Sequence, residues 1–158
     1  MSVLSISHIL KALKSPIQTV EADIPVYGGC IDSRRCEDGS LFIAIKGEVT
    51  DGHFYVDNAF NNGAYMAIID HAIESDYPVI DIADPNAIIP TEAPYSLLVP
   101  DSILALQTIA TYWREQFDIP VVGITGSVGK SSSKDLIASV LSHRMRTLAI
   151  KSLLEDLI

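Results

Sequence analysis

Blocks of apolar residues separated by polar loops predict a succession of strands and helices along this chain. Leu41-Phe42-Ile43-Ala44-Ile45 is an unbroken apolar run, as expected of a strand covered on both faces. A polar loop follows over 46–53, then 54–62 reads as a helix ended by Gly63, and 65–69 as a second buried strand. The two strands should pair in one sheet, joined by a right-handed crossover. Upstream, 7–13 has helical spacing, with Ile9, Leu10 and Leu13 on its inner face. Short strands at 24–27 and 31–33 should flank a Gly28-Gly29 turn. From 71 to 95 the pattern weakens among four prolines, leaving strands at 79–82 and 96–99.

Asp101 is placed to cap a helix running to Phe117. Ile103, Leu106, Ala110, Trp113 and Phe117 recur at steps of three and four, the spacing of a core-facing stripe. Pro100 and Asp118-Ile119-Pro120 bracket that helix, so the domain boundary is expected near residue 100, dividing the chain into 1–99 and 100–158. Beyond it, Pro120-Val121-Val122-Gly123-Ile124 has the β-branched density of a buried strand. Residues 134–143 carry Leu136, Ile137, Val140 and Leu141 at helical spacing.

Between that strand and that helix lies Ile124-Thr125-Gly126-Ser127-Val128-Gly129-Lys130-Ser131. A glycine-rich loop opening a helix turns backbone N–H groups inward as a nest for oxyanions. Thr125, Gly126, Ser127, Val128, Gly129, Lys130, Ser131 and Ser132 are therefore the candidate phosphate-binding set. Lys130 would meet the β- and γ-phosphates of ATP, and the Ser131 hydroxyl would ligate Mg²⁺. The strict pattern G-x-x-x-x-G-K-[ST] is not met, because Ile124 stands where its first glycine belongs and Gly123 comes one residue early. The competing reading is a glycine turn with Lys130 merely solvated.

The formal net charge of −9 argues against sequence-independent nucleic-acid binding, which needs clustered Lys and Arg. Cys30 and Cys36 match neither a zinc knuckle nor a C-x-x-C pair, and are expected as two free thiols in a reducing cytosol. The N-terminus lacks the basic start and apolar core of a signal peptide. No apolar run approaches the ~20 residues of a membrane helix, so a soluble cytoplasmic protein is expected. His8, His71 and His143 are scattered without metal-ligand spacing.

Two blocks resemble the Mur ligase family of ATP-dependent amide ligases. The first comprises Asp32-Ser33-Arg34, Asp38-Gly39-Ser40-Leu41-Phe42-Ile43-Ala44, Lys46-Gly47, Asp51-Gly52-His53-Phe54 and Gly63-Ala64. It is similar to the family's N-terminal domain, which holds the UDP-sugar end of the substrate. The second is the 124–131 loop, similar to the family's short phosphate loop, in which the early glycine is usual. The fold implied is a small N-terminal α/β substrate domain followed by the first strand, phosphate loop and helix of an incomplete P-loop α/β domain.

The resemblance leans to the MurF-type branch. That branch joins D-alanyl-D-alanine to a UDP-N-acetylmuramoyl tripeptide through an acyl phosphate, using ATP and Mg²⁺; the MurE-type branch is the alternative. It implies Asp32, Ser33, Arg34, Lys46, Gly47, Asp51, Gly52 and His53 as the UDP-sugar site, in a monomer with no nucleic-acid partner. On residue type alone, Arg34 is equally a solvated turn residue, Asp51 a helix cap and His53 incidental. No counterpart of the family's later metal-binding and catalytic residues stands in 146–158. The chain is thus expected to be a shortened ligase, inactive alone and without a catalytic residue, or else a non-catalytic UDP-sugar-peptide binding module.

Overall fold

The computed structural model describes residues 3–149. The chain forms two compact units, one ending at Phe117 and one beginning at Asp118. The first is built on a five-stranded, wholly parallel sheet of β4 (Gly28–Cys30), β5 (Ser40–Ile43), β6 (Ala64–Ile69), β7 (Val79–Asp81) and β9 (Tyr95–Leu98). Their spatial order is β4-β5-β6-β9-β7. Two minor pairs flank it: β1 (Leu4–Ser5) with β3 (Pro25–Val26), and β2 (Thr19–Val20) with β8 (Ile88–Ile89). The helices of this unit are α1 (Ile6–Ala12), α2 (Val56–Asn61) and α3 (Ser102–Glu115).

The apolar runs become strands because both faces of the sheet are covered. Leu41, Ile43, Met66, Ile68 and Leu97 join the α1 and α3 residues Ile6, Ile9, Ala105 and Ile109 in one core. Phe42, Ala44, Ala67 and Ile69 join Val56, Ala59 and Phe60 of α2 in the other. That alternation is the period of two of a pleated strand. Its one break, where Tyr65 and Met66 both turn to the first core, coincides with a register shift between Ser40 and Leu41. The paired strands at 41–45 and 65–69 and the intervening helix thus stand as expected.

Four expectations are corrected. The pair Gly28-Gly29 is no turn; it forms the edge strand β4, in register with Ser40 and Leu41, and the strand expected at 31–33 is instead a bend leading into the 3₁₀ turn Ser33–Arg35. That turn folds the chain back so that Cys30 and Cys36, Cα atoms 5.8 Å apart, are joined as a disulfide rather than standing as free thiols. On α3 the buried positions are Ser102, Ala105 and Ile109, while Ile103 is half exposed. The small side chains of Ser102 and Ala105 let the helix seat closely, which rotates the expected stripe outward. Trp113 is half-buried against His8 and Phe117, ring centroids 5.3 and 5.4 Å away.

The fourth correction concerns the second unit. Its helix α4 (Lys130–Ser142) forms, but 120–124 makes no strand. A strand needs a ladder to receive its N–H and C=O groups, and no described residue beyond 117 belongs to one. Val121 and Val122 are exposed, and no α4 side chain is buried. The α3 helix, expected with the second domain, lies within the first unit and contacts α1, β5 and β6. Among the described residues no helix is long and apolar enough to cross a membrane.

Tyr95 lies wholly within the first core with its hydroxyl unpaired among the described residues, and burial pushes its phenol up from the ordinary value. Tyr95→Phe removes the desolvated hydroxyl and keeps the ring. It is expected to raise unfolding stability by about 1 kcal/mol in urea denaturation; a loss of that size would show the hydroxyl to be satisfied.

Candidate functional site

Because every strand of the main sheet runs the same way, the loops leaving their carboxyl ends gather along one edge. That is where ligands bind in open parallel α/β sheets. The loop after β4 carries Asp32, Ser33 and Arg34, and the loop after β5 carries residues 46–53. The loop after β6 opens with Asp70 and His71.

In the first loop, Asp32 begins the 3₁₀ turn Ser33–Arg35 by accepting the Arg34 backbone N–H at 3.0 Å. The same carboxylate grips the Arg34 side chain with both oxygens, from Nε at 2.9 Å and Nη2 at 2.7 Å. These side-chain bonds first, and the backbone bond next, hold the Asp32 carboxyl down at about 2. Arg34 is 86% exposed, so its guanidinium is aimed by Asp32 while remaining open to an anion. Ser33 is buried and its carbonyl accepts from Asn62 Nδ2 at 2.9 Å, which fixes the turn against the end of α2.

The second loop is closed by a bridge between Lys46 and Asp51 and by the Gly47 N–H donating to Thr50 O at 2.9 Å. Gly52 then passes directly over the end of β5, its N–H donating to Ile45 O at 2.9 Å. A Cβ there would lie 2.8 Å from Ile45 N and 2.9 Å from its carbonyl oxygen. Gly52 therefore serves close backbone approach. Asp51 caps the following 3₁₀ turn, Gly52–Tyr55, through the His53 N–H at 3.0 Å.

His53 is only 1% exposed in its side chain. Its Nδ1 lies 2.6 Å from Asp51 Oδ1, and its Nε2 accepts the Asp70 N–H at 3.1 Å. It thereby ties the loop after β5 to the end of β6. His71 stacks on it, ring centroids 3.8 Å apart, with Nδ1 2.8 Å from Asp70 Oδ1. The Asp51 carboxyl is held below its ordinary value chiefly by the His53 backbone N–H, then by the His53 ring. Burial pushes Asp70 up, but the His71 bond, the Ser102 N–H and the two imidazoles outweigh it and bring it down. A cleft of about 470 Å³ adjoins these rings, lined by His53, Phe54, Asp57, His71, Ile73 and Glu74.

Asp70 and His71 were not among the expected site residues. The available signal was position: they follow the apolar run 65–69 as Lys46 follows 41–45. His53, expected at the UDP-sugar site, has both ring nitrogens bonded within this chain.

In the second unit, Gly126 and Gly129 have φ of +149° and +79°, and Gly129 caps the N-terminus of α4. Such angles are open to glycine and strained for other residues. Lys130 Nζ donates to Gly126 O at 2.5 Å, curling over the loop it would serve. Ser131 and Ser132 lie in the first turn of α4 and Thr125, Ser127 and Val128 in the loop before its Gly129 cap, and the 127–132 side chains are exposed. The Ser133 N–H donates to Gly129 O at 2.9 Å, completing the first helical turn.

With this geometry in hand, the chain can be set beside known proteins. The sequence pattern described as "Mur ligase family, catalytic domain" matches residues 25–112. The UDP-N-acetylmuramoyl-tripeptide–D-alanyl-D-alanine ligase of Synechocystis sp. is 36% identical over 143 residues, covering 90% of this chain and 28% of the relative. A UDP-N-acetylmuramoyl-L-alanyl-D-glutamate–2,6-diaminopimelate ligase of Caldanaerobacter subterraneus is 30% identical over 152 residues, 95% of this chain and 28% of its own length. The crystal structure of MurF from Acinetobacter baumannii superposes with a TM-score of 0.67 at 28% identity, covering 94% of this chain and 30% of that one. MurF from Thermotoga maritima in complex with ADP gives 0.58 at 28% identity over 75% of this chain and 24% of its own. The chain thus spans about a quarter of the length of the curated relatives it matches, from 21% to 28%.

Two outcomes test the loop geometry. Gly52→Ala should destabilise the chain by about 1–3 kcal/mol through overpacking against β5, whereas Gly28→Ala, with no atom within 4 Å of its Cβ, should cost well under that in the same urea series. The Asp32 carboxyl should titrate near 2 rather than 3.8 in an NMR pH series. Its folded value is depressed, so its stabilisation is complete above the unfolded value and is lost as pH falls toward 2; Arg34→Ala should return the midpoint toward 3.8.

Proposed function

The chain belongs to the Mur ligase family, and we propose that it serves an ATP-dependent ligase joining D-alanyl-D-alanine to a UDP-N-acetylmuramoyl tripeptide. In the proposed reaction a substrate carboxylate is activated as an acyl phosphate with release of ADP, and the dipeptide amine then displaces the phosphate. The observation that carries this reading is the gathering of the 32–34 and 46–53 loops on one edge of a parallel sheet, in the chain of a family member. Relatives with both the D-alanyl-D-alanine and the diaminopimelate names support the same sugar-nucleotide end of the substrate. The higher identity of the former favours the dipeptide as incoming amine.

The first unit supplies recognition. Arg34, aimed by Asp32, would donate charge-assisted hydrogen bonds to the diphosphate of the UDP moiety. Ser33 sits beneath it, and Lys46, Gly47 and the 48–50 backbone would line the nucleoside side. In this reading Asp51, Gly52 and His53 hold the loop rather than touch the ligand, because their polar groups are already spent on β5 and β6.

The second unit fits a nucleotide triphosphate: two left-handed glycines, a helix N-terminus and a lysine curled over the loop form a cradle for oxyanions. Thr125 to Gly129 would present N–H groups, Lys130 would pair with the outer phosphates, and Ser131, flanked by Ser132, would ligate Mg²⁺. When bound, Mg²⁺ and the loop neutralise charge on the transferring phosphoryl group.

Ligand-induced melting shifts test the assignment. UDP-N-acetylmuramoyl tripeptide at ~100 Kd should stabilise the chain by about 2.7 kcal/mol, a rise of roughly 5–10 °C for a chain of this size. Arg34→Ala should diminish that rise and Lys130→Ala should leave it intact, with the opposite pattern for ATP–Mg²⁺. No shift with the UDP-sugar peptide, or equal shifts in parent and Arg34→Ala, overturns the assignment of the first pocket.

A further inference from the structure

Asp51, His53 and His71 each offer one donor atom, and those atoms lie within 4.8 Å of one another. Two carboxylates organise the group. Asp70 Oδ1 lies 2.8 Å from His71 Nδ1 and 3.2 Å from His53 Nε2, so it faces one nitrogen of each imidazole. Asp51 faces the other nitrogen of each: Oδ1 is 2.6 Å from His53 Nδ1, and Oδ2 is 3.8 Å from His71 Nε2. Both rings thus present an inner nitrogen to one carboxylate and an outer nitrogen to another.

We propose that Asp51, His53 and His71 form a binding site for a divalent transition-metal ion such as Zn²⁺, with Asp70 orienting both imidazoles. Two neutral imidazole nitrogens and one carboxylate are a usual protein ligand set for Zn²⁺. A carboxylate accepting the outer N–H of a ligating histidine is the usual outer partner. The cleft beside His53 and His71 leaves room for water at a further coordination position.

His71 keeps its proton on Nδ1, toward Asp70, and its Nε2 lone pair faces Asp51. His53, which in the metal-free chain accepts the Asp70 N–H at Nε2 and donates from Nδ1, must move its proton from Nδ1 to Nε2. It then donates to Asp70 Oδ1, 3.2 Å away, gives up the bond it accepts from the Asp70 N–H, and frees the Nδ1 lone pair for the ion, whose coordination bonds must offset that loss. Each imidazole stays neutral and no net proton is released. The donor chemistry also sets selectivity: Mg²⁺ prefers all-oxygen, mostly hydrated coordination, whereas imidazole suits Zn²⁺, Ni²⁺ and Cu²⁺. The proposal does not rest on the ligase reading.

The test is calorimetric titration of the whole, EDTA-stripped chain with Zn²⁺, its disulfide intact and Mg²⁺ in excess. One saturable site per chain is expected, with a rise in melting temperature. His71 is about half exposed, so His71→Ala should leave the metal-free chain folded, with a cooperative melting transition, while lowering affinity at least about tenfold, and Asp70→Asn should lower it about 10–100-fold. His8→Ala and His143→Ala should bind as the parent does. Imidazole ¹⁵N spectra should show the His53 proton moving from Nδ1 to Nε2 on loading. Absence of a saturable site, parent-like affinity in His71→Ala, or loss of binding in either control variant would overturn the proposal.

Discussion

Everything in the first unit depends on the parallel pairing of β5 with β6. Each strand is buried on both faces, so neither can shift by one residue without exchanging its two side-chain sets between the cores. That pairing determines which side of the sheet receives α2, which receives α1 and α3, and where the loops emerge. Parallel direction then does what no single loop could: it brings 32–34, 46–53 and 70–71 to a common edge although they are far apart in the chain.

Along that edge the polar groups are arranged in layers. The outermost, Arg34 and the 46–50 loop, are open to a ligand. Beneath them Asp32, Asp51 and His53 satisfy backbone and side-chain groups of this chain, and Gly52 permits the contact with β5 that seats the loop. With no ion bound, His53 is buried and bonded at both nitrogens, and removing either partner would leave a polar group without solvent. The Cys30–Cys36 disulfide encloses the Asp32–Arg34 turn in a short covalent loop, so the exposed guanidinium projects from a doubly anchored base.

The second unit is organised differently. Its glycine loop and helix are local structures, set by left-handed backbone at Gly126 and Gly129 and by i→i−4 bonding within α4. They form without a sheet. The 120–124 segment cannot, because a strand is defined by its neighbours. Val121, Val122, Leu136 and Val140 of this unit are exposed.

The sequence by itself determined the elements whose signals are local or doubly redundant. The runs 41–45 and 65–69, the Asp101 cap, the helix before Gly63 and the glycine loop before α4 are each written in adjacent residues. Membership of the family was legible for the same reason, since its motifs are short and contiguous. The tertiary structure alone decided what depends on distant partners. It rotated α3 so that Ala105 rather than Ile103 meets the sheet, because close packing favours the small residue. It turned Gly28-Gly29 into an edge strand by giving it β5 to pair with, and it joined two cysteines whose spacing carries no signature. It also made His53 a buried tie and gathered Asp51, Asp70 and His71 around it. Histidine and aspartate signal nothing by spacing when they sit on loops that follow different strands, and only the parallel registration of β5 and β6 brings the two loops together.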